Sequence, residues 1–205
     1  MDSIIFDLDG TIWDSIDTVL LAWNSIVEEN KQVEKKLTRR DFEGTMGLQM
    51  DDISSKLFPN LDLNTRTQII KQCFEIEGKY IEEHGGILFK NVEDVLKKLS
   101  KKYKLFIVSN CQQGYIEGFF RYHKLENYFL DFENPDRTGL TKGENIKLII
   151  ERNNLLKPVY VGDTEGDLKA SRYAGIPFVY AKYGFGNVSE YDQVIEKFDD
   201  LLDLF

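Results

Sequence analysis

Short apolar runs alternate with longer segments of helical periodicity along most of this chain, and this alternation restricts its fold more than any other feature. Such a pattern is typical of a mostly parallel β-sheet whose strands are connected by helices. The runs are rich in Ile, Val, Phe, Leu and Tyr, as expected for strands buried on both faces. The sequence therefore predicts an α/β fold. The predicted strands are 3–8, 105–109, 128–132, 159–162 and 178–181.

One connection is much longer than the others. Almost a hundred residues separate the first two predicted strands, whereas a crossover connection needs only about a dozen. Apolar residues recur at helical spacing along this interval. We therefore expect a helical cap domain at 15–84, inserted into a core domain formed by 1–14 and 85–205. Gly85 and Gly86 either absorb the rotation of a hinge or form a plain loop.

The later strands are separated by segments with apolar residues at helical spacing. Helices are expected after Asn91, around 116–120, at 142–151 and at 167–174. A frayed helix is also expected at 191–204, close to the carboxyl end of the chain.

The composition disfavours several classes of protein. The 205 residues are 42% hydrophobic, which is enough for a sizeable core and unlike a disordered chain. A formal net charge of −9 disfavours a nucleic-acid backbone as the main partner. The two cysteines, Cys73 and Cys111, form no CxxC motif, and no segment resembles a signal peptide or a membrane span. We expect a soluble cytoplasmic protein without a nucleic-acid or membrane partner.

Two carboxylates follow the first predicted strand. Asp7 and Asp9 lie in the segment Asp-Leu-Asp-Gly-Thr, at the period of two that places alternate side chains on one side of an extended chain. Ligands of open parallel sheets bind beyond the carboxyl ends of the strands. One acid could attack a substrate and the other could transfer a proton. A strand end with acids that cap a helix or turn explains such a pair equally well.

The fourth predicted strand also ends in acids. Asp163 and Asp167 lie in the segment Gly-Asp-Thr-Glu-Gly-Asp. Together with Asp7 and Asp9 they make four carboxylates, which repel one another unless a hard cation neutralises them. Mg²⁺ prefers oxygen ligands and keeps positions open for water and phosphate. These four residues are therefore the candidate metal site.

Two further segments carry candidate phosphate ligands. Ser109 and Asn110 follow the second strand, where a helix start would supply N–H donors for a phosphate oxygen. As an alternative, Ser109 is an ordinary N-cap. Thr141 and Glu144 are spaced as a capping box, which places Lys142 in the first helical turn. A cation there is opposed by the helix dipole unless an anion lies beside it, although a solvated lysine is the ordinary alternative.

In chain order, these segments resemble the four motifs of the haloacid dehalogenase superfamily. The resemblance extends over nearly the whole chain and includes an insert of the helical-cap type found in phosphoglycolate phosphatases and beta-phosphoglucomutases. It implies a Rossmann-like core. It also implies that Asp7 is the nucleophile, that Asp9 is the general acid and base, and that Ser109 and Lys142 hold the phosphoryl group. Mg²⁺ would be bound by Asp7, by the backbone carbonyl of Asp9, by Asp163 and, directly or through water, by Asp167.

The expected function is a Mg²⁺-dependent phosphatase that hydrolyses a small phosphomonoester through an aspartyl-phosphate. A sugar phosphomutase of the beta-phosphoglucomutase type shares this chemistry and stays open, although the loop Gly44–Gln49 does not resemble the phosphomutase cap loop. A phospho-accepting signalling module and a structural role without chemistry are the alternatives from other classes. The sequence defines neither the individual substrate nor the oligomeric state.

Overall fold

The computed structural model describes residues 1–33, 35–46, 48 and 50–205, with only the backbone described at 50 and 51. Two of the six residues of the Gly44–Gln49 loop, Gly47 and Gln49, lie outside the described residues. The strands are β1 (Ser3–Phe6), β2 (Trp13–Asp14), β3 (Ile87–Leu88), β4 (Lys104–Val108), β5 (Asp131–Glu133), β6 (Pro158–Gly162), β7 (Phe178–Ala181) and β8 (Gln193–Ile195).

Six of these strands form one sheet in the order β5-β4-β1-β6-β7-β8, and every neighbouring pair is parallel. The predicted α/β fold with a parallel sheet is confirmed. Strand β1 pairs with β4 on one side and with β6 on the other, so that the chain order reverses around β1. A crevice opens at such a reversal, beyond the carboxyl ends of the strands.

Apolar side chains cover both faces of the sheet. In β1, Ile4 and Phe6 pack in one hydrophobic cluster with Val92, whereas Ile5 packs in a second cluster with Ile146. All three β1 side chains are fully buried, and each such burial stabilises the fold by roughly 1.5 to 3 kcal/mol. Because β1 is buried on both faces, its sequence is a run of apolar residues and does not alternate between polar and apolar residues.

The helices flank this sheet and fill the long connection. They are α1 (Ile16–Glu29), α2 (Arg39–Glu43), α3 (Met50–Leu57), α4 (Leu63–His84), α5 (Val92–Leu99), α6 (Tyr115–His123), α7 (Pro135–Thr138), α8 (Lys142–Arg152), α9 (Glu165–Ala174) and α10 (Leu201–Leu204). None of the described helices is long and apolar enough to cross a membrane.

Helices α1 to α4 lie between β2 and β3, which pair antiparallel with Trp13 opposite Leu88. The two chain segments that enter and leave the helical insert thus form a short ribbon. Gly85, at the end of α4, has a φ of 62°, a conformation that residues with a Cβ rarely adopt. The division into a cap domain at 15–84 and a core domain stays a prediction.

Two expectations about secondary structure away from the candidate site are wrong. The predicted helix at 191–204 is instead β8, a 3₁₀ turn at Phe198–Asp200 and the short helix α10. Ile195 is buried at the sheet edge, and β-branched residues such as this one favour a strand over a helix. The strand predicted at 128–132 begins only at Asp131, because Glu126–Tyr128 forms a 3₁₀ turn.

Candidate active site

Candidate residues follow the carboxyl ends of three neighbouring strands of the sheet. Asp7 follows β1, Ser109 follows β4 and Asp163 follows β6. The register aligns these ends, since Phe6 lies opposite Ile107 on one side and Val161 on the other. Parallel strands in register bring the residues after them to the same level. The three side chains are nearly fully buried there.

Lys142 joins this group from the start of α8. Thr141 and Glu144 form the predicted capping box, and the Lys142 side chain extends from the first turn into the site. Its Nζ donates hydrogen bonds of 2.8 Å to Asp7 Oδ1 and 2.5 Å to Asp167 Oδ1. Burial lowers the pKa of Lys142, but the negative charges of Asp167 and Asp7 outweigh burial and raise the pKa above its usual value. The lysine is therefore a fixed cation beside Asp7.

Asp7, Asp163 and Asp167 form a buried cluster of carboxylates. One oxygen atom from each lies within 4.8 Å of the others. Burial and the charge of Asp167 raise the pKa of Asp7 to about 7, and burial followed by the charges of Asp167 and Asp7 raises the pKa of Asp163 well above its usual value. A hard divalent cation would offset this repulsion, and an all-oxygen donor set fits Mg²⁺. The residues present therefore fit a metal of this class.

Asp163 is held by groups that the sequence analysis did not single out. The Phe185 backbone N–H donates to its Oδ2 at 2.8 Å, and the Thr11 hydroxyl donates to its Oδ1 at 3.3 Å. Two glycines make room for it, because a Cβ at Gly10 or Gly184 would lie 2.3 Å from an Asp163 atom. Only residues without a side chain allow the backbone to approach this carboxylate so closely.

Both carboxylate oxygens of Asp167 have protein donors. Its Oδ2 accepts hydrogen bonds from the backbone N–H groups of Asp163 and Thr164 and from the Thr164 hydroxyl, at 2.8 to 3.1 Å. Its Oδ1 accepts from Lys142. Asp167 therefore fixes the loop after β6 and orients the lysine. Direct metal ligation by Asp167 stays a prediction.

The Asp9 side chain has surroundings different from those of this cluster. Its Oδ1 accepts hydrogen bonds from Trp13 Nε1 at 3.0 Å, Ser15 Oγ at 2.5 Å and Tyr115 OH at 2.9 Å. Burial raises the pKa of Asp9, and these three hydrogen bonds reduce the rise. All three hydrogen bonds end on Oδ1, and no described residue donates a hydrogen bond to Oδ2. One oxygen is thus anchored and the other can exchange a proton.

Ser109 and Asn110 line the same cavity as Asp7 and Lys142. A hydrogen bond from the Ser109 side chain lowers the pKa of Asp7, which places the hydroxyl beside that carboxylate. The expectation that a helix begins directly after Ser109 is wrong, because α6 begins at Tyr115 and has Gly114 as its N-cap. The alternative of Ser109 as an N-cap is therefore also wrong.

A cavity of about 80 Å³ lies between these residues and the helical insert. Its lining includes one acid that the sequence analysis missed, Glu77 of α4. The sequence did contain a signal for Glu77, because this residue lies four positions from both Cys73 and Ile81, which are buried on the same helix. A charged residue on the apolar face of a helix is exceptional unless it is paired or functional. Tyr115 was missed because its hydrogen bond to Asp9 joins residues that are distant in sequence.

Comparisons with known proteins agree with this geometry. The sequence profile of the haloacid dehalogenase-like hydrolase family matches residues 4–181. Two curated relatives named phosphoglycolate phosphatase, from Salmonella typhimurium and Vibrio vulnificus, are 25% and 24% identical to this chain. These alignments cover 97% and 98% of this chain, and 90% and 94% of the relatives.

Solved structures show the same fold. A haloacid dehalogenase-like family hydrolase from Streptococcus pneumoniae superposes with a TM-score of 0.83 at 20% identity, covering all of this chain (100%) and 98% of the other. The profile match extends over most of the described sheet and its helices. The predicted family and the predicted hydrolase class are confirmed, and the chain belongs to the haloacid dehalogenase-like hydrolase family.

Proposed function

We propose that this chain is a Mg²⁺-dependent phosphatase that hydrolyses a small phosphomonoester through a phosphoryl group carried on Asp7. The observation that carries the proposal is the 2.8 Å hydrogen bond between Lys142 Nζ and Asp7 Oδ1 at the carboxyl edge of the sheet. A buried carboxylate beside a fixed cation and two further acids is suited to attack a phosphoryl group. The names of the curated relatives support the same reaction class.

The reaction would proceed in two displacements. An Asp7 oxygen attacks phosphorus, the bond between phosphorus and the ester oxygen breaks, and Asp9 gives its proton to the departing alkoxide. A water molecule then gives a proton to Asp9 and attacks the phosphoryl group, which releases inorganic phosphate and restores Asp7. Covalent catalysis of this kind divides one difficult step into two easier ones, and Asp9 serves as acid and then as base.

The remaining candidate residues would bind the phosphoryl group. Lys142 supplies a positive charge, and Ser109 and Asn110 line the cavity next to Asp7. Asp7, Asp163, the backbone carbonyl of Asp9 and, directly or through water, Asp167 would hold Mg²⁺. When bound, the metal offsets charge on the phosphoryl oxygens and on the clustered acids. Positioning and electrostatic stabilisation account for most of the catalysis in phosphoryl transfer.

The helical insert would act as a lid over this reaction. Residues 15–84 would form a cap domain that closes on the core around the ribbon of β2 and β3 and the glycines 85 and 86. Closure would exclude bulk water from Asp7. The cavity volume of about 80 Å³ favours small phosphorylated metabolites over folded phosphoproteins. Both cysteines are free thiols, which supports a reducing compartment such as the cytoplasm.

Release of inorganic phosphate from an aryl phosphate tests the proposal. The wild-type chain should release phosphate with Mg²⁺ and stop when EDTA is added, and Asp7→Asn should be inactive while its circular dichroism spectrum is unchanged. Full activity of Asp7→Asn would contradict the assignment. Conversion of a sugar monophosphate to its isomer without phosphate release would identify a phosphomutase instead.

A further inference from the structure

Glu77 is a buried acid in the active-site cavity that the proposed reaction does not use. Its side chain is 4% exposed and projects from the middle of α4 into the cavity that contains Asp7 and Asp9. The phosphoryl group would be held by Lys142, Ser109 and the metal-binding acids on the core side. Glu77 therefore lies where the leaving group of the substrate would be accommodated.

The partners of Glu77 within the protein are neutral. Trp23 Nε1 donates to its Oε2, and Gln112 Nε2 donates to its Oε1 at 2.8 Å. No salt bridge involves Glu77 among the described residues. A carboxylate can accept about four hydrogen bonds, and a buried ion without a partner of opposite charge is costly by several kcal/mol. A cationic ligand would therefore stabilise the ionised form of Glu77, and no described residue supplies that cation.

Three aromatic residues line the same cavity as this acid. Trp23 packs edge to face against Phe42 and Phe74, with ring centroids 5.0 and 5.4 Å apart, and all three residues line the cavity. Aromatic faces attract organic ammonium groups, and this attraction is strongest in desolvated sites. A carboxylate together with aromatic rings attracts a protonated amine and repels an anion.

The distribution of charge in the cavity also favours a cationic leaving group. Of the described residues that line it, Lys142 alone is cationic, and its ammonium group is bound to Asp7 and Asp167 on the phosphoryl side. The leaving-group side offers two acids, Glu77 and Asp9, and otherwise mainly apolar surface. A carboxylate on the leaving group would be repelled there, whereas an ammonium group would be attracted.

Building on the proposed phosphatase activity, we propose that the substrate is the phosphomonoester of an amino alcohol, whose ammonium group binds to Glu77 and to the aromatic rings of Trp23, Phe42 and Phe74. Glu77 is then the residue that selects the leaving group. Gln112, two residues after Asn110, orients Glu77 through its hydrogen bond. A leaving group with a carboxylate, such as glycolate, is rejected.

Three phosphomonoesters of equal length test this selection. They are 2-aminoethyl phosphate, ethyl phosphate and 2-phosphoglycolate, which carry a positive, a neutral and a negative leaving group. At pH 8, above the pKa of about 7 to which burial raises Glu77, the wild-type chain with Mg²⁺ should show a kcat/KM for 2-aminoethyl phosphate at least about tenfold above that for 2-phosphoglycolate, with ethyl phosphate between them. This ratio is measured on the unmodified protein and needs no variant to fold.

Glu77→Gln then identifies the residue responsible. This variant keeps the shape of the side chain and removes its charge, so the preference for 2-aminoethyl phosphate over 2-phosphoglycolate should fall by about tenfold. Glu75→Gln is the matched control, because it removes the same charge from an exposed position on the same helix. It should retain the wild-type ratio.

The outcomes separate this inference from the proposed function. If the wild-type chain hydrolyses the aryl phosphate but prefers 2-phosphoglycolate, or if Glu77→Gln folds and keeps the wild-type ratio, the selection by Glu77 is refuted and the phosphatase activity stands. If neither the aryl phosphate nor any of the three esters is hydrolysed with Mg²⁺, both proposals are refuted.

Discussion

Tyr115 donates a hydrogen bond of 2.9 Å to Asp9 Oδ1, although the two residues are 106 positions apart in sequence. The same hydroxyl lies 2.8 Å from Ser15 Oγ, which also donates to Asp9. The first residue of α6 therefore fixes the side chain that would transfer the proton. Groups that orient a catalytic side chain commonly contribute tenfold or more to activity.

Tyr115→Phe should lower kcat for an aryl phosphate by about tenfold with little change in KM, because the carboxylate of Asp9 loses one of the groups that orient it. Steady-state kinetics with saturating Mg²⁺ provides the measurement. Tyr103→Phe is the control, since Tyr103 hydrogen-bonds to the Phe205 carbonyl and precedes β4 at the opposite edge of the sheet. An unchanged kcat in Tyr115→Phe would show that Asp9 does not depend on this hydrogen bond.

Gly184→Ala should weaken Mg²⁺ binding. A Cβ at this position would lie 2.3 Å from Asp163 Cβ and 2.4 Å from the Gly10 carbonyl oxygen. Either Asp163 must shift, or the turn that contains Gly184 and supplies the Phe185 N–H to Asp163 must shift. We expect the Mg²⁺ concentration for half-maximal activity to rise at least tenfold, in the range found when groups that orient metal ligands are removed.

Gly78→Ala is the matched glycine variant for this experiment. A Cβ there has no neighbour within 4 Å, and alanine favours a helix over glycine by about 0.8 to 1 kcal/mol. It should raise the free energy of unfolding slightly and leave Mg²⁺ binding unchanged. Equal Mg²⁺ affinity in Gly184→Ala and wild type would contradict the placement of the metal beside Asp163.

The pH dependence of stability should report on Glu77. Burial raises its pKa to about 7 from an ordinary value of 4.5, and the nearby charge of Asp9 adds to the rise, while hydrogen bonds from Gln112 and Trp23 oppose it. Between these two pH values the folded chain retains a proton that the unfolded chain has released. The free energy of unfolding therefore falls as the pH rises through this range.

Urea unfolding at pH 5 and pH 8 provides the measurement. At each pH, the free energy of unfolding of Glu77→Gln is subtracted from that of the wild-type chain. This difference should be lower at pH 8 than at pH 5, by on the order of 2 kcal/mol. The comparison with the variant removes the contributions of the other buried acids. A difference that does not change with pH would indicate that Glu77 is not protonated in the folded chain at pH 5.

The sequence predicted the parts of the site that depend on local pattern and sheet geometry. Asp7 and Asp163 follow apolar runs, and parallel strands bring such positions together. Lys142 was identified because a cation at a helix start is unfavourable without an anion beside it. The sheet order was not predictable, since it depends on which buried strands pair.

The rest of the site arises from contacts between residues that are distant in sequence. The pairing of Glu77 with Trp23 requires α4 to pack on α1, and its hydrogen bond to Gln112 requires α4 to pack on the loop after β4. The support of Asp163 by Phe185 depends on the turn after β7. At 191–204, the edge position of Ile195 in the sheet favoured a strand over the helix that local periodicity suggested.

Trapping the phosphoryl group on Asp7 tests the central claim most directly. The protein is mixed with an aryl phosphate and Mg²⁺, quenched in acid within the first turnover and digested, and the peptide containing residue 7 is analysed by mass spectrometry. The account predicts that this peptide gains the mass of one phosphoryl group in the wild-type chain and not in Asp7→Asn. A phosphoryl group on a different residue, or rapid phosphate release with no labelled peptide at any quench time, would contradict it.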